Sequence, residues 1–180
     1  FSGARPVVAL LPGSRNKEVA FNLPGIVGAA KLLRDKHPEL DFALAAAPHL
    51  RPSALQEAVD AGIAVKEGMT RDVHAAARVA IVASGTATVE TALTLTPMVV
   101  VYRLSALTYT LGKPLVSVSN YAMVNLIAGR VVVKELIQSD FTPARVAEET
   151  LRILDDGEAR STMLDDLREV REKLGRGGAT

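Results

Sequence analysis

Ser84, Gly85 and Thr86 stand between an apolar run at 79–83 and a helical pattern that carries Glu90, an order of residue types suited to holding an anion. A small-residue turn that opens a helix straight after a buried parallel strand leaves backbone N–H groups without intrahelical acceptors. These groups and the positive end of the helix dipole favour a negative charge in front of them. Phosphate is a common occupant of such a seat. Gly85 removes the Cβ that would hold an anion away from the backbone. Glu90 lies one turn further on, the only charged residue between Arg78 and Arg103, where it can accept hydrogen bonds from a sugar hydroxyl. Phosphate and sugar together describe a nucleotide. The alternative is an ordinary tight strand-to-helix turn with Glu90 in solvent.

A second set of candidates follows the first apolar run. Arg15, at the tip of Pro12-Gly13-Ser14-Arg15-Asn16-Lys17-Glu18, can fork onto a diphosphate through its planar guanidinium, while Gly13 and Ser14 permit close backbone approach. Lys17, Arg71 and Arg103 are auxiliary cations. Asn125, an amide between apolar residues ahead of a helical turn, reads either as a helix cap or as a ligand contact. His37, His49 and His74 are isolated from one another and from carboxylates at ligand spacing, which assigns them surface or packing roles. Asp155-Asp156 and Asp165-Asp166 lie in charged C-terminal helical stretches and read as solvated faces. A Walker-type G-x-x-x-x-G-K-[ST], a G-x-G-x-x-G after a strand and an H-E-x-x-H are all missing from the sequence. Their absence sets aside kinase, dinucleotide oxidoreductase and zinc hydrolase readings. No metal and no cofactor is expected.

These loops need a scaffold, and the pattern of apolar runs supplies one. Residues 6–11, 41–47, 63–66, 79–83 and 98–102 read as strands. Helical patterns fall between them, from the 12–18 loop to about 33, at 52–61, through His74, and across Glu90. Pro24 and Gly25 are expected to shift or kink the first helix. Strands alternating with helices predict an α/β fold, a Rossmann-like parallel sheet with helices on both faces. Its ligands sit at the carboxyl ends of the strands, onto which the loops after Leu11, Lys66 and Ala83 open. Further on, 104–118 has helical spacing at Leu107, Leu111 and Leu115. Thr142-Pro143 opens a helix that ends near Asp156-Gly157, and a last helix covers about 158–174.

Composition agrees with that scaffold. Hydrophobic residues make up 48% of the chain and aromatic ones only 4%, the aliphatic interior typical of parallel sheets. A formal net charge of +1 without a basic cluster argues against nucleic acid. The chain has no cysteine, which excludes disulfides and thiolate chemistry and fits a reducing, cytoplasmic compartment. It begins at Phe1 rather than methionine, and is expected to be a piece of something longer. The stretch 81–128, with Leu107, Tyr109, Leu111, Leu115, Tyr121 and Met123, carries few charges and is either deeply buried or faces a partner, and the chain is expected to form dimers through it.

Four motifs in order carry a family resemblance. They are Leu10-Leu11-Pro12-Gly13-Ser14-Arg15 with Glu18-Val19; Ala83-Ser84-Gly85-Thr86-Ala87 with Glu90; Pro97-Met98-Val99-Val100 with Tyr102-Arg103; and Asn125-Leu126-Ile127-Ala128-Gly129-Arg130 with Glu135-Leu136-Ile137-Gln138. The chain resembles the lipid-A-disaccharide synthases over residues 6–138. The resemblance implies the C-terminal, donor-binding half of an inverting GT-B glycosyltransferase. Such an enzyme transfers diacylglucosamine from a UDP carrier to diacylglucosamine 1-phosphate and releases UDP without a metal, at the cytoplasmic face of the inner membrane. It also implies that the whole of 1–180 is one UDP-sugar-binding domain. An N-terminal acceptor domain outside this chain would supply the general base, so the chain alone would be inactive. By the same resemblance, Arg15 and Asn125 serve catalysis. Gly13, Ser14, Arg15, Ser84, Gly85, Thr86, Ala87, Glu90 and Asn125 bind UDP, backbone groups near Gly68-Met69 hold the uracil, and loss of Asn125 costs activity with little loss of stability. Other readings are a related UDP-sugar enzyme, such as an epimerase or a peptidoglycan glycosyltransferase, and a non-catalytic nucleotide-sensing module.

Overall fold

The computed structural model describes residues 5–103 and 121–176, with the side chain of residue 176 left aside. Its six strands are β1 (Val7–Leu11), β2 (Asp41–Ala46), β3 (Ala64–Glu67), β4 (Ala77–Ala83), β5 (Met98–Tyr102) and β6 (Glu135–Ile137). They form one sheet in the order β3-β2-β1-β4-β5-β6, with every pairing parallel. β1, at the centre, is buried at all five residues, and Met98 to Val101 of β5 are buried too. Strands covered on both faces need no polar alternation, hence the unbroken VVALL and MVVV.

The helices are α1 (Asn16–Lys36), α2 (Gln56–Asp60), α3 (Thr70–Ala76), α4 (Thr86–Leu93), α5 (Met123–Ala128), α6 (Pro143–Asp155) and α7 (Gly157–Arg176), with single 3-10 turns at Pro52–Ala54 and Gln138–Asp140. From β1 the chain winds outward through α1 and α2 to β3. It then returns through α3 and proceeds through α4 in the opposite direction. Because parallel crossovers are right-handed, these two directions put α1 and α2 on one face and α3 and α4 on the other. The strand order reverses between β1 and β4. Open α/β sheets hold their ligands outside the strand ends at such a reversal.

Most expected elements are present within a residue or two, and the strand at Met98–Tyr102 has the expected bounds. Two readings are corrected, one strand was missed and one expected helix is not covered. Neither Pro24 nor Gly25 ends or delays α1, which begins at Asn16 and runs through both to Lys36. Gly25 instead lets another element in, since a Cβ there would lie 2.7 Å from Cε2 and Cζ of the buried Phe141. The expected helix at 52–61 divides into a 3-10 turn and the short α2, with Leu55 joining them. The three-residue β6 was missed. It is too short to show a period, and pairing of Val100, Val101 and Tyr102 with Glu135, Leu136 and Ile137 defines it. The expected helix at 104–118, with Leu107, Tyr109, Leu111 and Leu115, lies outside the described residues. Tyr121 and Met123, at the chain's return from there, are each 40% exposed.

Candidate functional site

A cleft of about 260 Å3 opens at the carboxyl ends of β1, β2 and β4, and both sequence-predicted anion loops line it. Gly13, Ser14, Arg15 and Glu18 come from the first loop and α1. Ser84, Gly85, Thr86, Ala87 and Glu90 come from the turn after β4 and from α4, with Ala45, Ala47 and Thr70 between the two groups. The residues of the two groups lie roughly seventy positions apart in sequence. Parallel pairing of β1 with β4, from Val7↔Ala77 to Leu11↔Val82, brings them together.

At the second loop, Gly85 is the residue before α4, with φ 150° and ψ −163°. That region is closed to side chains. A Cβ built there would meet no atom within 4 Å, so the glycine's open side faces space rather than protein. Thr86 and Ala87 open α4, and their N–H groups have no intrahelical acceptor. The turn itself is braced. Ser84 N–H donates to Val101 O (2.9 Å), while the Thr88 hydroxyl donates to Gly85 O (2.7 Å). The exposed Glu90 lies between this cleft and an adjoining one of about 670 Å3, which takes in Gly68, Thr70, Arg71, Asp72, His74, Leu93 and Thr94. Gly68 and Arg71 therefore belong to the second cleft, and Met69 is exposed beside it.

The first loop differs from its expected state. The N–H groups of Ser14 and Arg15 both donate to Glu18 Oε2, at 3.1 and 3.3 Å, and Arg15 Nη1 pairs with Glu18 Oε1 at 2.7 Å. Partial burial raises the affinity of Glu18 for a proton. The Arg15 guanidinium, the two backbone donors and the charge of Arg15 outweigh that effect and hold the carboxyl below its usual value. His49, which the sequence suggested was a surface or packing residue, buttresses this loop by donating from Nε2 to Ser14 O (2.7 Å). Arg51 N–H, on the same segment after β2, donates to Asn16 Oδ1 (3.0 Å). Buried Asn22 joins the loop to the end of β5, donating to Pro12 O (3.2 Å) and accepting from Arg103 N–H (2.9 Å). Nothing in their local sequence marks His49 or Asn22 as supports of the loop, because both contacts are made across the fold.

Two proposed site residues are engaged elsewhere. The Arg103 guanidinium stacks 4.9 Å from the Phe141 ring centroid and donates to Phe141 O, a structural role rather than that of an auxiliary cation. Asn125 is fully buried. Its Nδ2 donates to Val133 O (2.9 Å) and Glu135 Oε1 (2.7 Å), and its Oδ1 accepts from Val132 N–H (2.8 Å) and Val133 N–H (3.0 Å). Ala122 rather than Asn125 precedes α5, so the cap reading is corrected. All four hydrogen-bonding positions of the amide are also taken, so as placed it presents none to the cleft. Its link to the cleft is indirect: Glu135 Oε2 accepts Tyr121 N–H (2.8 Å), and Tyr121 O accepts the Ser84 hydroxyl (3.3 Å). Lys17 is exposed on α1.

His74 is a buried packing residue, 3.1 Å from Thr91 Oγ1 through Nε2. The Thr91 hydroxyl donates to Ala87 O (2.7 Å), so the ring must donate to it and carries its proton on Nε2. Burial lowers the His74 pKa from the ordinary 6.5, and Glu90 only partly opposes this. The unfolded chain therefore binds a proton that the folded one refuses. The associated stability is present above the ordinary value and is lost as pH falls below it toward the folded pKa. The melting temperature should drop as pH is taken from 7.5 to 5.5, and His74→Gln should flatten that slope. An unchanged slope would refute the assignment.

Among the described residues no group of three or more His, Asp or Glu side chains is placed to hold a metal ion. Asp156 Oδ1 accepts the N–H groups of Glu158 and Ala159 at the start of α7. Asp166 pairs with Arg130 (2.8 Å), and Asp165 with Arg168 (2.5 Å). No described helix is long and apolar enough to cross a membrane.

Comparison with known proteins places this geometry in context. The sequence model of the lipid-A-disaccharide synthetase family matches residues 2–178. The chain is 43% identical over 180 residues to a lipid-A-disaccharide synthase of Anaeromyxobacter dehalogenans strain 2CP-C, covering 98% of this chain and 47% of that protein. It is 42% identical over 176 residues to one of Syntrophus aciditrophicus, covering 96% and 46%. The chain thus spans about half the length of these curated relatives. Among solved structures, the UDP-GlcNAc 2-epimerase of Neisseria meningitidis, bound to UDP-GlcNAc, superposes with a TM-score of 0.64 at 14% identity, covering 98% of this chain and 46% of that one. A putative UDP-N-acetylglucosamine 2-epimerase of Listeria monocytogenes gives 0.64 at 15% identity, with 91% and 40% covered. At such identities the likeness is one of fold.

Proposed function

The chain belongs to the lipid-A-disaccharide synthetase family, and from that premise we propose that it is the UDP-sugar-binding half of an enzyme that joins UDP-2,3-diacylglucosamine to 2,3-diacylglucosamine 1-phosphate, giving lipid A disaccharide 1-phosphate and UDP. The observation that carries this reading is the convergence of Arg15, the Ser84–Ala87 turn and Glu90 on one cleft at the strand reversal. Residues 1–180 act as a single donor-binding domain.

Departure of UDP leaves negative charge on the β-phosphate. In metal-independent transfer the protein has to stabilise it with groups fixed in advance. The N–H groups of Thr86 and Ala87, the amino end of α4 and the Arg15 guanidinium are such groups. Gly85 permits the approach and Glu90 holds the ribose hydroxyls. The base enters the larger adjoining cleft beside Gly68 and Met69. Asn125 acts through Glu135 and Tyr121 to hold the Ser84 side of the seat. The acceptor sugar, the general base and contacts with the acyl chains come from the other half of the enzyme. The whole works in the cytoplasm at the inner membrane surface, without cofactor or nucleic acid, and can form a homodimer.

Titration of the chain with UDP, UMP, ADP and UDP-N-acetylglucosamine tests the reading. Uridine nucleotides should bind in preference, and preference for ADP would overturn it. Glu90→Gln should weaken UDP by about 1–2 kcal/mol, the difference between a charged and a neutral acceptor. The loss should vanish with 2′,3′-dideoxy-UDP. If the mutation costs the same with both ligands, Glu90 does not touch the ribose.

A further inference from the structure

We propose that Glu18 is an internal counter-anion of the cleft, one that a ligand phosphate must displace from Arg15, and that it thereby sets how strong an anion the cleft retains. This rests on the donor-site reading above. The Glu18 carboxylate engages three groups that an incoming phosphate would otherwise use. Oε2 takes the N–H groups of Ser14 and Arg15 at 3.1 and 3.3 Å, and Oε1 takes Arg15 Nη1 at 2.7 Å. Gly13 shows that the arrangement is built into the loop. Its φ is +122°, and a Cβ there would lie 2.8 Å from Glu18 Cβ and 2.9 Å from Oε2, so only glycine admits the carboxylate.

The Arg15 side chain is 78% exposed and that of Glu18 27%, which leaves the guanidinium at the rim within reach of a ligand. Attraction to the guanidinium scales with charge, so a diphosphate competes with the carboxylate on better terms than chloride or a monocarboxylate. The ligand also feels repulsion from Glu18 itself. Removing that charge should tighten phosphate binding.

The competing view is that Glu18 merely caps α1 from its third position. Glutamine serves equally well there, so Glu18→Gln keeps the cap while removing the charge. The experiment is calorimetric titration of the chain and this variant with UDP, inorganic pyrophosphate and uridine at fixed ionic strength. Glu18→Gln should bind UDP and pyrophosphate about 3- to 10-fold more tightly, with uridine affinity unchanged and only a small fall in melting temperature from loss of the ion pair with Arg15. In an Arg15→Ala background most of the gain should vanish. Glu18→Asp, which keeps the charge but draws it back from Arg15, should show a smaller gain in the same direction and provides a second variant if the first folds poorly. A wild-type chain that binds UDP beside variants that bind it equally or more weakly would overturn this inference and leave the donor-site reading standing. A wild-type chain that binds neither UDP nor pyrophosphate would overturn both.

Discussion

Asn125→Ala should lower the stability of the chain by about 3–4 kcal/mol, because one truncation strands several buried partners at once. The N–H groups of Val132 and Val133 lose their acceptor, while Val133 O and Glu135 Oε1 lose a donor. These groups lie between α5 and β6, where Val132, Val133 and Leu136 are buried, so water cannot replace the amide without opening the structure. Asn125→Asp should be nearly as costly, since it brings a second carboxylate against Glu135. Urea unfolding followed by far-ultraviolet circular dichroism measures the change. A loss below about 1 kcal/mol would mean that the amide is not the tie it is taken to be, and would restore the resemblance-based expectation of lost activity with little lost stability. Nucleotide affinity should fall as well, through release of Glu135, Tyr121 and Ser84.

On the donor-site reading, in which the guanidinium meets the diphosphate and not the nucleoside, Arg15→Ala should weaken UDP by about 2–3 kcal/mol while leaving uridine almost unaffected. Stability should change little, as the Arg15 side chain is 78% exposed and its partner Glu18 keeps two backbone donors. Arg15→Lys should recover only part of the loss, since an ammonium restores charge but not the planar fork. Parallel titrations with UDP and uridine decide the matter. Equal losses for both ligands would assign Arg15 to loop structure instead.

The glycine turn, Arg15 and Glu90 were legible because each depends on local chemistry. A small-residue turn after an apolar run leaves helix-opening N–H groups without local acceptors, and a lone carboxylate in an otherwise uncharged stretch is conspicuous. Asn125 was conspicuous for the same reason, yet its role was not legible. An amide between apolar residues looks alike in sequence whether it faces a ligand or the buried N–H groups of a segment seven or eight positions on. His49 and Asn22 gave no signal. One reaches Ser14 from 35 residues away, and the other joins Pro12, 10 residues before it, to Arg103, 81 residues after it.

Sequence by itself determined the α/β class, five of the six described strands and the two loops that line the cleft, since hydrophobic runs and turn residues act over a few positions. Tertiary structure alone decided which groups share the cleft and which are already engaged. The pairing of β1 with β4 brings Arg15 and Glu90 into one cleft, and pairing with β5 turns residues 135–137 into a strand. The same folding occupies the Ser14 and Arg15 N–H groups with Glu18, the Arg103 guanidinium with Phe141 and the Asn125 amide with the chain ahead of β6. The physical reason is that a donor or acceptor is available to a ligand only if folding leaves it unpaired. That depends on neighbours brought together in space, which local residue patterns do not encode.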